Sequence, residues 1–264
     1  LPARAFDRIA PTFDRHRALP AGVAEAVRAA VIEAADAHPA SRYLDVGAGS
    51  GRFGAAFVAA GDDYVGIDRS AGMLHVFAQR AVQDARAPRL VQADGTSLPF
   101  RDRTFDIVLL MNVFGGLRDW RELAAEAQRT LRPGGAVVVG RTTAPPDGLD
   151  ARMKQRAKEI LQARGVGDDR VNRRDEVVAW LNARAALRID VIAARWTAQR
   201  TPRDFIERHR NGARFALLSP ALQAQAAAEL SAWAAAEFGS LDSAAIEAHA
   251  LELSVVTLHS GAAA

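Results

Sequence analysis

The sequence predicts an α/β fold: a mostly parallel sheet with helices on both faces. Three observations lead there. A short apolar run, Leu44-Asp45-Val46, ends in the glycines Gly47, Gly49, Gly51 and Gly54, after which Phe53, Phe57, Val58 and Ala60 fall at near-helical spacing. Strand-like and helix-like runs then alternate along the chain, as βαβ units do. One such run, Thr104 to Leu110, is almost continuously apolar, as a strand covered on both faces requires.

Composition bounds the rest. A chain of 264 residues suits one α/β domain with insertions, or one domain and a small subdomain. With 49% hydrophobic residues it can bury a sizeable core. Charges interrupt every apolar stretch well before the ~20 residues of a membrane span. Residues 1–17 mix acids, arginines and prolines without an apolar stretch, so no signal peptide is expected. The chain has no cysteine, which excludes disulfides, thiolate metal sites and cysteine nucleophiles. That fits a reducing compartment, and a cytoplasmic location is expected. The net charge is +3, but residues 141–215 hold 17 Lys/Arg against 10 Asp/Glu, or +7, leaving −4 elsewhere. A solvated arginine-rich surface and a preference for anionic partners explain this equally well.

In order, residues 1–20 carry Phe6-Asp7 and Phe13-Asp14, seven apart, with His16 and Arg17 following. A helix would bring both aromatics to one side, but Pro11 argues against a continuous one. Ala21 to Ala37 reads as a helix with Val23, Val27 and Val31 inward, ended by His38-Pro39. The glycine-rich stretch reads as strand, tight turn and helix, with the helix N-terminus aimed above the strand. Asp63 to Asp68 is a second strand, and Ser70 to Leu74 opens its helix. An acid ending that strand is placed to accept the hydroxyls of an adenosine ribose, although a cap or turn role is the plainer alternative. Arg89 to Gln92 is a short third strand, followed by Asp94-Gly95 and Leu98-Pro99-Phe100. Arg118 to Thr130 is a helix, Leu131 to Gly135 a stop and tight turn, and Ala136 to Gly140 a fifth strand.

Helices are expected over Asp150–Arg164 and Arg174–Arg184, and strands over Leu187–Trp196 and Glu252–His259. Thr201-Pro202 and Ser219-Pro220 are helix starts, each a capping hydroxyl before proline at the first helical position.

Two ligand classes fit the loop. Gly49-Ser50-Gly51-Arg52-Phe53-Gly54 satisfies the dinucleotide pattern G-x-G-x-x-G, with Asp68 as ribose acid, but starts late after the strand. Read instead as Asp45-x-Gly47-x-Gly49-x-Gly51, the loop resembles the first motif of class I S-adenosylmethionine-dependent methyltransferases of the small-molecule type. Asp68-Arg69-Ser70 with Met73-Leu74, Asp94-Gly95 with Leu98-Pro99-Phe100, Phe105-Asp106, and Leu131-Arg132-Pro133-Gly134-Gly135 resemble that family's later motifs, in the family's order. The likeness covers residues 1–143 closely and the rest loosely.

The resemblance implies a Rossmann-like seven-stranded sheet with the last strand antiparallel, plus helical cap insertions at about 145–170 and 201–248. It divides the chain into a lid (1–20), a cofactor-binding core (21–143), and the completion of the sheet with its caps (144–264). It implies S-adenosyl-L-methionine as cofactor, held by Phe13, Arg17, Asp45, Gly47, Ala48, Gly49, Gly51, Asp68, Arg69, Met73, Asp94, Gly95, Met111 and Asn112. Many relatives carry histidines where Gly115 and Gly116 stand, so no general base carries over. The candidate catalytic groups are His16 and His209, and the candidate acceptor contacts are Phe6, Phe114, His209 and Arg210. The histidines have no metal-ligand spacing, and no metal is expected.

The expected reaction is in-line methyl transfer to a small acceptor carrying an anionic or polar group and lying between the core and the late insertions. An RNA methyltransferase using the basic stretch ranks below it, because RNA bases call for exposed stacking aromatics and aromatics are 6% of the chain. A non-catalytic cofactor binder is the third reading.

Overall fold

The computed structural model describes residues 3–82, 87–115, 117–167, 172–210, 212 and 215–259; within these, the side chains of His16 and Val82 are not described. In chain order the elements are α1 (Ala3–Phe13), α2 (Val23–Ala34), β1 (Arg42–Val46), α3 (Gly54–Ala60), β2 (Asp63–Asp68), α4 (Ala71–Val82), β3 (Arg89–Gln92) and β4 (Phe105–Met111). They continue with α5 (Trp120–Thr130), β5 (Leu131–Thr143), α6 (Leu149–Gln162), α7 (Arg174–Asn182), β6 (Ala185–Arg200), α8 (Pro202–Arg210), α9 (Pro220–Phe238) and β7 (Ala245–Leu258).

The strands form one seven-stranded sheet in the order β3-β2-β1-β4-β5-β7-β6. The first five are parallel neighbours. Strand β7 runs the other way: Arg141 pairs with Glu252, and the Thr143 hydroxyl donates to the Ala250 carbonyl, so numbers rise on one strand as they fall on the other. The order reverses at β1, where Asp45 lies beside Gly66 on one side and Leu109 on the other. In sheets of this kind ligands bind outside the carboxyl ends of the strands at such a switch point.

The chain forms two compact units. One comprises residues 19–142, 170–194 and 251–264. Its core joins Leu44 and Val46 of β1, Val65 and Ile67 of β2, Val108 and Leu110 of β4 and Val137 and Val139 of β5 to Leu123 and Ala127 of α5 and Val177 and Leu181 of α7. The Leu-Pro-Phe segment is clamped onto α5. Arg129 donates to the carbonyls of Leu98 and Phe100 and to Glu126 and Asp102, while Glu126 accepts the Leu98 N–H at 2.7 Å.

The other unit comprises residues 1–18, 143–169 and 195–250. Its core joins Leu149, Met153 and Ile160 of α6, Phe205 and Ile206 of α8, Phe215, and Ala226, Leu230 and Ala234 of α9. Its helix starts follow the local signals: Ser219 accepts the Leu222 N–H, and Thr201 and Asp204 exchange hydrogen bonds.

Two local expectations are corrected. Helix α1 runs through Pro11. The proline costs one late helical hydrogen bond, about 3 kcal/mol in an isolated helix, and the buried face of Ala5, Ile9 and Ala10 offsets it. Strand β5 begins at Leu131, not Ala136. Leu131 pairs with Phe105 and Ala136 already with Ile107, so Arg-Pro-Gly-Gly is a bulge within the strand, with Gly134 at φ 79°.

Arg129→Ala should remove the clamp on the Leu-Pro-Phe segment and leave Glu126 facing Asp102 without its counter-charge. The expected loss is about 1–3 kcal/mol, read as a lower urea midpoint with unchanged m-value. An unchanged midpoint would show that the clamp contributes nothing.

Candidate active site

The site is built at the carboxyl ends of β1 and β2. Asp45 is the single carboxylate on β1, and it is 1% exposed. A strand with apolar neighbours on both sides offers it no solvent, and the Tyr64 hydroxyl on β2 supplies the partner, donating to Oδ2 at 2.7 Å. Burial pushes the Asp45 pKa up to about 7; the Tyr64 hydrogen bond opposes this, and the nearby Asp68 charge adds to it. Oδ1 is buried and has no hydrogen-bond partner among the described residues.

Past Val46 the chain turns sharply under two hydrogen bonds, from the N–H groups of Gly47 and Ala48 to the Ile67 carbonyl at 2.9 and 2.8 Å. Gly47, Gly49 and Gly51 all have positive φ. At Gly47 a Cβ would lie 2.5 Å from Val113 Cγ1, and at Gly51 it would collide with the Phe77 ring. The loop is therefore held between α4 and the end of β4 with no room for side chains. At Gly49, by contrast, the nearest atom to such a Cβ would be 3.9 Å away, so the loop has space at that position.

Asp68 closes the loop from β2. Its Oδ2 accepts the Gly49 N–H at 3.0 Å and its Oδ1 the Ser70 N–H at 2.8 Å. Ser70 takes the N-cap of α4, its hydroxyl accepting the Met73 N–H. Asp94 sits in a turn beyond β3, with Oδ1 accepting from the Thr96 N–H and hydroxyl and Oδ2 3.4 Å from Arg69. The Thr96 backbone hydrogen bond, more than the Arg69 charge, holds its pKa below the usual carboxylate range.

Asp45, Gly47, Ala48, Gly49, Gly51, Asp68, Arg69, Asp94 and Gly95 thus stand on connected turns of one unit. Other expected site residues are committed elsewhere. Met73 is buried on α4, and Phe114 is buried in the core instead of facing outward. Asn112, at φ 58°, latches β4 to β5 by exchanging side-chain hydrogen bonds with Thr142, and Met111 packs beside Gly140.

In the other unit, Phe6 and Phe13 are half-buried on α1, and Arg17 lies 4.8 Å over the Phe13 ring. His209 is stacked 3.7 Å from the Phe205 ring with Nδ1 at the Phe205 carbonyl. Burial, and next the Arg208 charge, pushes its pKa down to about 3. So weak a base is poorly suited to accept a proton near neutrality, which corrects its candidacy. Arg210 is exposed, the side chain of His16 lies outside the described part, and so does Gly116. Among the described residues no cluster of His, Asp and Glu could hold a metal, and no helix is long and apolar enough to cross a membrane.

Tyr64 is the site residue that motif reasoning passes over. The signal was present: a buried tyrosine hydroxyl needs a partner, and the neighbouring strand carries one carboxylate.

The raised pKa of Asp45 makes stability depend on pH. The folded state holds the proton up to about pH 7, the unfolded chain only to about 4. Stability should therefore fall as pH rises through that window and level off above it, by on the order of a few kcal/mol. Asp45→Asn should flatten the fall, with an unfolding midpoint near wild type at pH 4 and higher at pH 8. Parallel pH profiles for the two proteins would refute the assignment.

Comparison with known proteins places this geometry. Residues 44–139 match a family described as a methyltransferase domain. A demethylmenaquinone methyltransferase of Clavibacter sepedonicus is 34% identical over 163 residues, which is 60% of this chain and 66% of that relative, just under two thirds of its length. Among solved structures, the YcgJ protein of Bacillus subtilis superposes with a TM-score of 0.56 at 20% identity, covering 87% of this chain and 97% of that one. The cyclase SpnF superposes with a TM-score of 0.56 at 17% identity, covering 97% and 96%. At these identities the structural likenesses show the fold alone. With the family match over the loop and its strands, residues 44–139 are similar to the methyltransferase domain family, and the likeness supports a class I S-adenosylmethionine-dependent methyltransferase.

Proposed function

We propose that this protein transfers a methyl group from S-adenosylmethionine to a small organic molecule. The observation that carries the reading is the buried, half-satisfied carboxylate of Asp45 beneath a glycine loop closed by Asp68. The residues fit the cofactor: an orphaned buried acceptor suits a cationic group, and positive-φ glycines leave a main chain that a ligand can touch. In this reading Asp68, held in place by the Gly49 and Ser70 N–H groups, faces the ribose hydroxyls, and Asp94 with Gly95 serves the adenine edge. When bound, the cofactor supplies a methyl group activated on a sulfonium. The chain's own contribution is to hold it in line with the acceptor and exclude water.

For the acceptor, demethylmenaquinone, named for the Clavibacter relative, is the first compound to try. The cyclase has the same architecture, so the fold leaves the reaction open and the assay must decide it. A small molecule is favoured over RNA because the basic residues of the late region are largely answered locally. Arg208 pairs with Asp150, Arg203 with Asp242, Arg152 with Glu237, and Arg156 and Arg164 with Glu229. Cations so engaged are poorly placed to neutralise a row of phosphates.

Calorimetry should show binding of S-adenosylhomocysteine and none of NAD; the reverse preference would overturn the reading. Asp68→Ala should weaken S-adenosylhomocysteine binding by roughly 1–3 kcal/mol in a folded protein, because ribose hydroxyls and the Gly49 N–H lose their acceptor. Unaltered affinity would leave Asp68 a loop-closing residue only. Filter binding to total RNA across a salt series tests the competitor, since an enzyme on several phosphates loses orders of magnitude in affinity as salt rises. Tight, steeply salt-dependent binding with methyl incorporation into RNA would replace the small-molecule acceptor.

A further inference from the structure

The inward face of β7 changes character along its length. Alternate residues share a face, and Glu247, His249, Leu251, Leu253 and Val255 are all buried. Three of the five are aliphatic, yet Glu247 is only 3% exposed and His249 only 7%. Strand β6 answers with the same pattern: Trp196, Ala198 and Arg200 are half-buried while Arg195, Thr197 and Gln199 between them are exposed. The Trp196 and His249 rings stack 5.6 Å apart, 18° from parallel.

The start of α6 and the end of α8 complete the surroundings within the same unit. Glu247 Oε1 accepts the Asp150 backbone N–H at 3.2 Å. Asp150 Oδ1 accepts from Arg208 at 2.6 Å, and its Oδ2 lies 4.0 Å from Arg200 Nε. Around this face three buried polar atoms have no hydrogen-bond partner among the described residues: Arg200 Nε, Glu247 Oε2 and His249 Nε2. A buried polar atom left without a partner is destabilising, so three gathered on two adjacent strands demand an explanation.

Their chemistry specifies what would satisfy them. Burial lowers the ring's pKa and so favours the neutral imidazole; with the other nitrogen held by the Thr143 backbone, Nε2 is the nitrogen left to offer a lone pair. A lone pair needs a donor. Arg200 Nε–H needs an acceptor, and Glu247 Oε2 needs a donor. A free carboxylate ligand would meet repulsion from Glu247 and Asp150. A hydroxyl both gives and takes, and Arg200 favours the acidic kind. The Trp196 ring beside His249 supplies an apolar wall.

We propose that this face of β6 and β7 is a binding site for a small organic molecule bearing a phenolic or enolic hydroxyl, which donates to His249 Nε2 and accepts from Arg200. The methyl-transfer reading is needed only to name that molecule as the acceptor; the binding site itself stands on the orphaned atoms.

The test uses the full chain with a matched pair of probes, 2-naphthol and 2-methoxynaphthalene, which differ in having the hydroxyl or capping it. Calorimetry should show 2-naphthol binding at least tenfold more tightly. His249→Phe keeps a ring against Trp196 and removes the lone pair; it should lose at least tenfold in 2-naphthol affinity while circular dichroism and S-adenosylhomocysteine affinity stay unchanged. Glu247→Gln is the second variant, expected to fold and to weaken 2-naphthol binding less than His249→Phe. Equal binding of the two probes, equal binding by wild type and His249→Phe, or no binding of 2-naphthol would overturn the site and leave ordered water as its occupant. Loss of S-adenosylhomocysteine binding by the wild type would instead sink the cofactor reading and leave the 2-naphthol result standing.

Discussion

A carboxylate in the middle of a parallel sheet must be held by something other than water, and here the Tyr64 hydroxyl holds Asp45 at 2.7 Å. The cofactor half of the site follows from that pair. Register sets Asp45 beside Gly66, and because Gly66 has no side chain the Tyr64 ring has space to lean across; a Cβ there would approach the Tyr64 hydroxyl to 3.1 Å. The ring also fills the position that a Cβ on Gly54 would claim, so the start of α3 packs directly on β2. The glycine turn is thus moulded around a hydrogen bond and an aromatic ring, and its shape is fixed by packing before any ligand arrives.

Asp68 then performs two tasks with one side chain. It pins the loop through the Gly49 N–H and starts the next turn through the Ser70 N–H. A carboxylate with both oxygens already anchored is pre-oriented, so further donors meet a fixed acceptor and little side-chain entropy remains to be lost. Ser70 makes this arrangement workable by capping α4, which leaves Asp68 free of that duty.

The arginine-rich late region divides into two chemistries. On the helices of its unit the cations pair with neighbouring acids, and the excess charge is spent on surface and half-buried ion pairs worth little individually. On the strands the polar groups are buried and only partly answered, and buried groups are where electrostatics has leverage. Net charge therefore describes this region poorly. The informative quantity is which polar atoms lack a partner once the chain is folded.

Much of the fold was legible in the order of residues, for local reasons. Four glycines after a short apolar run can scarcely be other than a tight turn, and Ser219-Pro220 and Thr201-Pro202 start helices because capping acts within one turn. The resemblance to the family's motifs put Asp45, Asp68 and Asp94 at or just beyond the ends of β1, β2 and β3. Tertiary structure decided what spacing cannot carry. Pro11 was absorbed into α1 because the burial of Ile9 and Ala10 outweighs one missing hydrogen bond. Phe114 went to the core and His209 became a weak base, since burial depends on what packs from distant segments. The Asp45–Tyr64 pair and the gathering of Arg200, Glu247 and His249 join residues tens of positions apart, or on different strands. A one-dimensional pattern records which groups are polar; only the folded chain determines which of them are cut off from water and from each other.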